Sequence, residues 1–527
     1  MPRDSLLLIE ASLSGGCYAY KLIQFAVGHA ELFGSVFRRR DALPARSLGR
    51  QQLPALPFAL RGGRVLPPIE DASVPQPLWQ LTIAQAAALI AARQLSPVAL
   101  TQACLDRIAE VDARIHSYIH VDTEGALAAA RQAEQEINNG HHRGPLHGIP
   151  YGVKDNYDAA GLPATAGSRL RLDHIPQQDA ALVHRLRQCG AILLGKLATW
   201  EYGTGNGAEY FDLPFPPARN PWDTERFTGG SSTGAGAAVA AGTALFALGS
   251  DTTGSVRLPA AATGTLGLIA TPGRLDRTGI LPNCYALDIP GIFAWTAGDV
   301  ALILNELAPA PPSPPRDKNL AGLRIAVVAD PGPGLPAPDA PIAHAFTAGL
   351  DVLRSLGATL VNAALPVPAA DCFAVTRLIG PPESAAIHEA DLRERPELMG
   401  AALRDKLLAG SLVPAVDYIA ALRRRRQIAA GIDALLTQYD ALLTFGALHV
   451  APRLGVEPEM TAFTTETMLT PFNLSAHPAL VQCTGFSPEG LPLHWQLVGN
   501  RDAEAAILHI AAAYESATPW REARAPL

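Results

Sequence analysis

Cysteine, charge and long apolar runs are all scarce in this chain, and each scarcity removes a class of answer. The six cysteines, Cys17, Cys104, Cys189, Cys284, Cys372 and Cys483, stand far apart and form no C-x-x-C pair. Neither a zinc site nor a disulfide framework is therefore indicated, and a reducing, cytoplasmic location is expected. H-E-x-x-H, Walker A and dinucleotide fingerprints are also missing, so no metal and no cofactor is expected. Charged residues make up 17% of the chain and the net charge is −7. The longest basic clusters, Arg38-Arg39-Arg40 and Arg423-Arg424-Arg425-Arg426, are short and read as solvated faces, so nucleic acid is not an expected partner.

Ser5 to Phe37 is apolar-rich, but Glu10, Lys21, His29 and Glu31 interrupt it, and no uninterrupted span reaches the roughly 18–20 residues of a membrane helix. Arg3 followed by Leu6-Leu7-Leu8-Ile9 starts like a signal peptide and is cut short by Glu10, while Leu13-Ser14-Gly15-Gly16-Cys17 has the wrong spacing for a lipoprotein cleavage site. No membrane association is expected. Residues 1–76 read as an N-terminal extension whose second half is rich in Arg, Pro and Gly, and residues 77–527 read as the folded domain.

What is present is a large apolar complement, 48% of 527 residues, sufficient for a substantial core. Ser96-Pro97 is an N-cap followed by proline at the first helical position, and Leu100, Ala103, Cys104, Ile108 and Val111 then fall at helical spacing. Ala191-Ile192-Leu193-Leu194 predicts a short buried strand, the small-residue run Ala235 to Leu248 a buried helix, Pro309 to Pro315 a stiff connector, and Leu323 to Val328 another strand.

Three separated motifs point to a chemistry. Ser255 sits in Gly249-Ser250-Asp251-Thr252-Thr253-Gly254-Ser255-Val256-Arg257. The hydroxyl cluster Gly229-Gly230-Ser231-Ser232 lies upstream, and Lys154 occurs earlier still in His147-Gly148-Ile149-Pro150-Tyr151-Gly152-Val153-Lys154-Asp155. A serine hydroxyl is a poor nucleophile until a base takes its proton and donors await the oxyanion, and the chain offers hydroxyls, glycine-rich backbone and a candidate base. Taken singly, a Gly/Ser stretch is a flexible loop and a lysine a surface cation.

Jointly the motifs resemble the amidase signature family, whose pattern is H-G-I-P-x-x-V-K-D, then G-G-S-S-G-G, then G-x-D-x-G-G-S-[IV]-R. Ser231 and Ser255 are 24 positions apart, the family's interval, and Phe472-Asn473-Leu474 and Leu491 to Gly499 continue the likeness toward the C-terminus. The resemblance implies an α/β fold: a single large α/β/α domain with a mixed, twisted central sheet surrounded by helices. It implies Ser255 as nucleophile, Ser231 as bridging serine after a cis Gly230-Ser231 bond, and Lys154 as general base. It further implies an oxyanion hole of the backbone N–H groups of Thr252, Thr253, Gly254 and Ser255, an Asp251–Arg257 pair holding the loop, and Ser232 hydrogen-bonded on the Lys154 side. For Lys154 to accept a proton near neutral pH, burial must lower its usual pKa of about 10.4.

Thr253 and Thr233 stand where the pattern has glycine. A β-branched residue at positive φ is an outlier, so a reshaped oxyanion loop or a narrowed mouth is expected, and with it the alternative of a catalytically inactive scaffold. Trp295 replaces an arginine and reads equally as a packing aromatic. Lys196 reads as structural. Gly230-Ser231-Ser232-Thr233-Gly234 also satisfies G-x-S-x-G, which would make Ser232 a nucleophile, but the strand that motif requires is missing from Arg219 to Thr228.

The implied function is hydrolysis of a carboxylic amide C–N bond through an acyl-enzyme, on a small-molecule amide, with a homodimer left open. The alternatives are a carbamate or urea-type hydrolase and the glutaminase component of a tRNA-dependent amidotransferase. The acidic balance and the N-terminal arm lean against the last. Tyr202, Tyr210, Phe211 and Phe215, and Phe373, Arg377, Glu383 and His388, fall in the segments expected to shape the substrate pocket.

Overall fold

The computed structural model describes residues 76–205, 212–308 and 319–527. The N-terminal arm, apart from Gln76, and the Pro309–Pro315 connector fall outside the described residues, as do Tyr210 and Phe211.

Eleven strands form one mixed sheet: β1 Tyr118–Val121, β2 Pro150–Lys154, β3 Ile192–Leu197, β4 Phe246–Asp251, β5 Leu266–Ile269, β6 Ile289–Ala294, β7 Arg324–Val328, β8 Thr359–Asn362, β9 Ala441–Thr444, β10 Ala479–Phe486 and β11 Pro492–Val498. Their order is β1-β3-β2-β4-β6-β5-β10-β11-β9-β7-β8. β3, β2 and β4 run parallel, as do β9, β7 and β8, while the strands between these two groups pair antiparallel. Every residue of β2, β3, β5, β6, β9 and β11 is buried, so helices and loops cover both faces there, and these strands read as near-continuous apolar runs. The edge strands β1 and β8 have no fully buried position. The α/β fold and the mixed sheet are those the sequence implied.

The helix Pro97–Ile115 begins where the sequence placed it: Ser96 Oγ accepts the N–H groups of Val98 and Ala99 at 3.1 and 3.2 Å, and Leu100, Cys104, Ile108 and Val111 are buried. The expected helix over Ala235 to Leu248 is corrected. It spans Thr233–Ala241, Gly242 ends it in a left-handed conformation at φ 75°, and Phe246 opens β4. Small apolar residues carry no periodicity that would reveal such a break. All nine residues of this helix are buried, and a Cβ on Gly234 would lie 2.2 Å from the Ser117 carbonyl oxygen. Only glycine allows that approach. Trp295 is a packing aromatic: it is buried, and the Arg521 and Arg524 guanidinium groups lie 4.6 and 4.0 Å from its ring centre.

Candidate active site

Parallel pairing brings the two ends of the site together. Val153 of β2 lies opposite Leu248 of β4, so the carboxyl end of β2 at Lys154 and that of β4 at Ser250 and Asp251 finish side by side. Such carboxyl ends are where open α/β sheets bind ligands. The loop before the helix Thr233–Ala241 supplies Ser231, and the Gly230–Ser231 peptide bond is cis.

Lys154 Nζ donates to Ser231 Oγ at 2.7 Å and to Ser250 Oγ at 3.0 Å. Lys154 is wholly buried, and burial pushes its pKa down to about 7 against the opposing pull of Asp288 and Asp251. That is the range in which an amine exchanges protons at neutral pH. On the neighbouring strand Lys196 forms a fully buried ion pair with Asp155 at 2.9 Å and donates to the Pro163 carbonyl at 3.0 Å. It holds the end of β2 and is structural, as the sequence indicated.

Ser255 follows β4 by a tight loop. The Ser232 N–H donates to the Ser255 carbonyl at 3.1 Å, which ties the two serine loops together. The Ser255 hydroxyl makes no hydrogen bond among the described residues and lines a cavity of about 280 Å³ together with Thr252, Thr253, Gly254 and Gly230. Asp251 organises this loop from behind. Its carboxylate accepts the N–H groups of Gly254 at 2.7 Å and Val256 at 3.0 Å, and pairs with the Arg257 guanidinium at 3.0 Å. Burial opposes the Asp251 charge, but Arg257 and these hydrogen bonds outweigh it and hold the carboxyl below its ordinary range. Arg257 in turn donates to the Leu469 carbonyl and to Gln496 Oε1, both at 2.7 Å, and to Asn473 Oδ1. The two C-terminal motifs thus converge on one buried guanidinium.

Ser232 bonds on the Lys154 side through Ser250: its Oγ donates to the Ser250 carbonyl at 3.2 Å, which also accepts from Lys154 Nζ at 3.4 Å, and the residue is fully buried. Two expectations are corrected. The Gly254 N–H donates to Asp251 Oδ1 at 2.7 Å, so of the four backbone donors expected in the loop this one is engaged elsewhere. Finally, Thr253 and Thr233 require no strained backbone. The left-handed conformations in the two loops fall on Gly229 at φ 69° and Gly254 at φ 134°, and Thr233 is the first residue of a helix.

Ser250 is the site residue that motif reading missed. It accepts from Lys154 and, at 3.0 Å, from Asn156 Nδ2, yet nothing in Gly249-Ser250-Asp251 distinguishes a strand-end hydroxyl facing the lysine from one facing solvent. Ser250 also borders a second cavity, of about 870 Å³. Of the residues expected to shape the pocket, Phe373 and Arg377 line the cavity at Ser255. Tyr202 is buried with its ring centre 4.3 Å from that of His388, Phe215 lies in a separate small pocket, and Glu383 accepts from Tyr418 Oη at 2.8 Å and from the Ala286 N–H at 2.9 Å.

At the carboxyl edge of the mixed sheet a buried lysine is hydrogen-bonded to one serine, and a second serine hydroxyl opens onto the adjoining cavity. The amidase family model matches residues 99–508, and the chain belongs to this family, the amidase signature enzymes, which act on C–N bonds. It is 35% identical over 492 residues to a glutamyl-tRNA(Gln) amidotransferase subunit from Chloroflexus aggregans, covering 85% of this chain and 99% of that protein. The corresponding subunit from Myxococcus xanthus is 33% identical, with 85% and 100% covered. Among solved structures, an amidase is 31% identical with a TM-score of 0.75 over 83% of this chain and 99% of that one. A 6-aminohexanoate cyclic dimer hydrolase complexed with substrate is 25% identical, also with a TM-score of 0.75, over 85% and 99%. Among the described residues no helix is long and apolar enough to cross a membrane.

Proposed function

We propose that the chain is a stand-alone amide hydrolase working through Ser255, Ser231 and Lys154. The observation that carries this reading is the 2.7 Å hydrogen bond from Lys154 to Ser231 in a buried setting that lowers the lysine pKa to about 7. Neutral Lys154 takes the Ser231 proton as Ser231 takes that of Ser255, and Ser255 Oγ attacks the amide carbonyl carbon. The negative charge that develops on the carbonyl oxygen is met by the backbone N–H groups of Thr252, Thr253 and Ser255. Such donors contribute about 10²–10³ in rate each. The C–N bond then breaks, the departing nitrogen receives the proton back from Lys154 through Ser231, and an acyl ester remains on Ser255. Water, deprotonated along the same relay, hydrolyses the ester and restores the serine.

All three side chains come from one polypeptide, which supports activity without a partner. The test is a panel of amides, esters and carbamates assayed with the purified chain alone. Turnover abolished by Ser255→Ala supports the reading, and inertness of the wild-type chain toward the whole panel overturns it. A second reading, glutaminase within an amidotransferase, is favoured by the likeness to the Chloroflexus aggregans amidotransferase protein over 85% of the chain. It predicts that glutamine exceeds every simple amide as substrate and that a second protein raises the rate.

A further inference from the structure

We propose that the cavity facing Ser255 selects amides bearing a carboxylate or similar anionic group at their far end, held by Lys406 and Arg377. The proposal rests on the amide-hydrolase reading for the reacting end of the substrate and supplies the chemistry of the other end.

Lys406 comes from the helix Ala401–Ser411 and Arg377 from the helix Ala369–Ile387. Both line the cavity, and no aspartate or glutamate does so among the described residues. Lys406 Nζ donates to Asn283 Oδ1 and, at 3.2 Å, to Thr204 Oγ1. Both acceptors are neutral. An ammonium carries three donors, so one remains, and Arg377 has no hydrogen bond or ion pair among the described residues. Burial lowers the Lys406 pKa to about 8, with Cys284 and Asp288 opposing and Arg377 adding repulsion, so the side chain is still mainly cationic at pH 7.

The nearby carboxylate of Asp288 is already engaged. It accepts from Thr252 Oγ1 at 2.6 Å and from the N–H groups of Asn283 and Cys284 at 2.8 and 2.9 Å, and it forms no ion pair with either cation. Lys406 is half-buried and Arg377 exposed at the cavity, and two cations in a lining free of acids are complementary to an anion; planar carboxylates suit the guanidinium fork. The geometry also limits substrate length. Asn283, which accepts from Lys406 through Oδ1, donates through Nδ2 to Thr252 Oγ1 at 3.2 Å. The cation is thus separated from the loop before Ser255 by one side-chain amide, which suits a short dicarboxylate monoamide.

The experiment compares kcat/KM for malonamate, succinamate and glutaramate with that for alkyl amides of matched length, in the wild type, Lys406→Met, Arg377→Gln and Arg377→Glu. The expected wild-type preference for at least one carboxylate substrate is tenfold or more. It should fall toward unity in the first two variants, chiefly through KM, and shift toward amino-terminated amides in Arg377→Glu. Calorimetric titration of Ser255→Ala with succinamate and with butanamide gives a readout independent of turnover. Tighter binding of succinamate, lost in the Lys406→Met background, supports the anion site even if no amide is hydrolysed, an outcome that would count against the hydrolase reading alone. Hydrolysis of alkyl and carboxylate amides at equal efficiency, or equal calorimetric affinity for the two ligands, overturns the anion site and leaves the hydrolase reading standing.

Discussion

Lys154 Nζ and Ser231 Oγ are joined by a 2.7 Å hydrogen bond between two buried side chains, and burial lowers the lysine pKa to about 7. The base functions only when neutral. Activity should therefore fall about tenfold per unit as pH drops below 7 and level off above it, with the midpoint near 7 in a kcat/KM profile. A profile flat from pH 5 to 9 would contradict the assignment. Lys154→Ala should lower the rate by about 10²–10⁴ and abolish the inflection.

Ser250→Ala removes one acceptor from Lys154 and leaves Asn156 without its 3.0 Å partner. Losing one hydrogen bond to an amine that carries charge during turnover corresponds to about 1.5–3 kcal/mol, so kcat should fall by roughly 10- to 100-fold. The midpoint of the pH profile should move, which a loss of folding alone would not cause. Ser250→Thr, which retains the hydroxyl, should recover part of the rate.

Breaking the Asp251–Arg257 pair should be costly to the fold. Both side chains are fully buried and joined at 3.0 Å, and removing one partner of such a pair typically costs about 3–5 kcal/mol because the other charge is left uncompensated. Arg257→Met should show that loss in urea denaturation and should also fail to hold the Ser255 loop. Unchanged stability would mean that Asn473 and Gln496 alone satisfy the site.

Removal of residues 1–70 is expected to leave a folded and active enzyme, since the catalytic motifs, the eleven strands and the capped helix at Ser96 all lie downstream. Thermal denaturation and turnover of the shortened chain, compared with the full chain, measure this. Aggregation or lost activity would show that the arm is needed by the folded domain or by its assembly.

The candidate side chains Lys154, Ser231 and Ser255 were legible because each sits in a local motif at a strand end or tight loop, whereas their meeting at one sheet edge follows from the parallel pairing of β2 with β4. What escaped reading depends on direction or on distant contact. Ser250 Oγ faces the Lys154 and Asn156 side chains, whereas Ser232 Oγ faces the Ser250 carbonyl. The break between Ala241 and Phe246 is set by Gly242, one glycine within a run of small residues. Gln496 and Asn473 reach Arg257 from more than 200 positions away, and Lys406 meets Asn283 from 123 positions away. Tertiary packing makes those contacts, and no local pattern encodes them.

The most direct test of the central assignment is intact-mass and peptide analysis after reaction of the full chain with a fluorophosphonate. A single adduct mapped to Ser255, absent in Ser255→Ala and slowed in Lys154→Ala, is the expected result. Labelling of Ser232, or rapid amide turnover with Ser255 unmodified and dispensable, would contradict it.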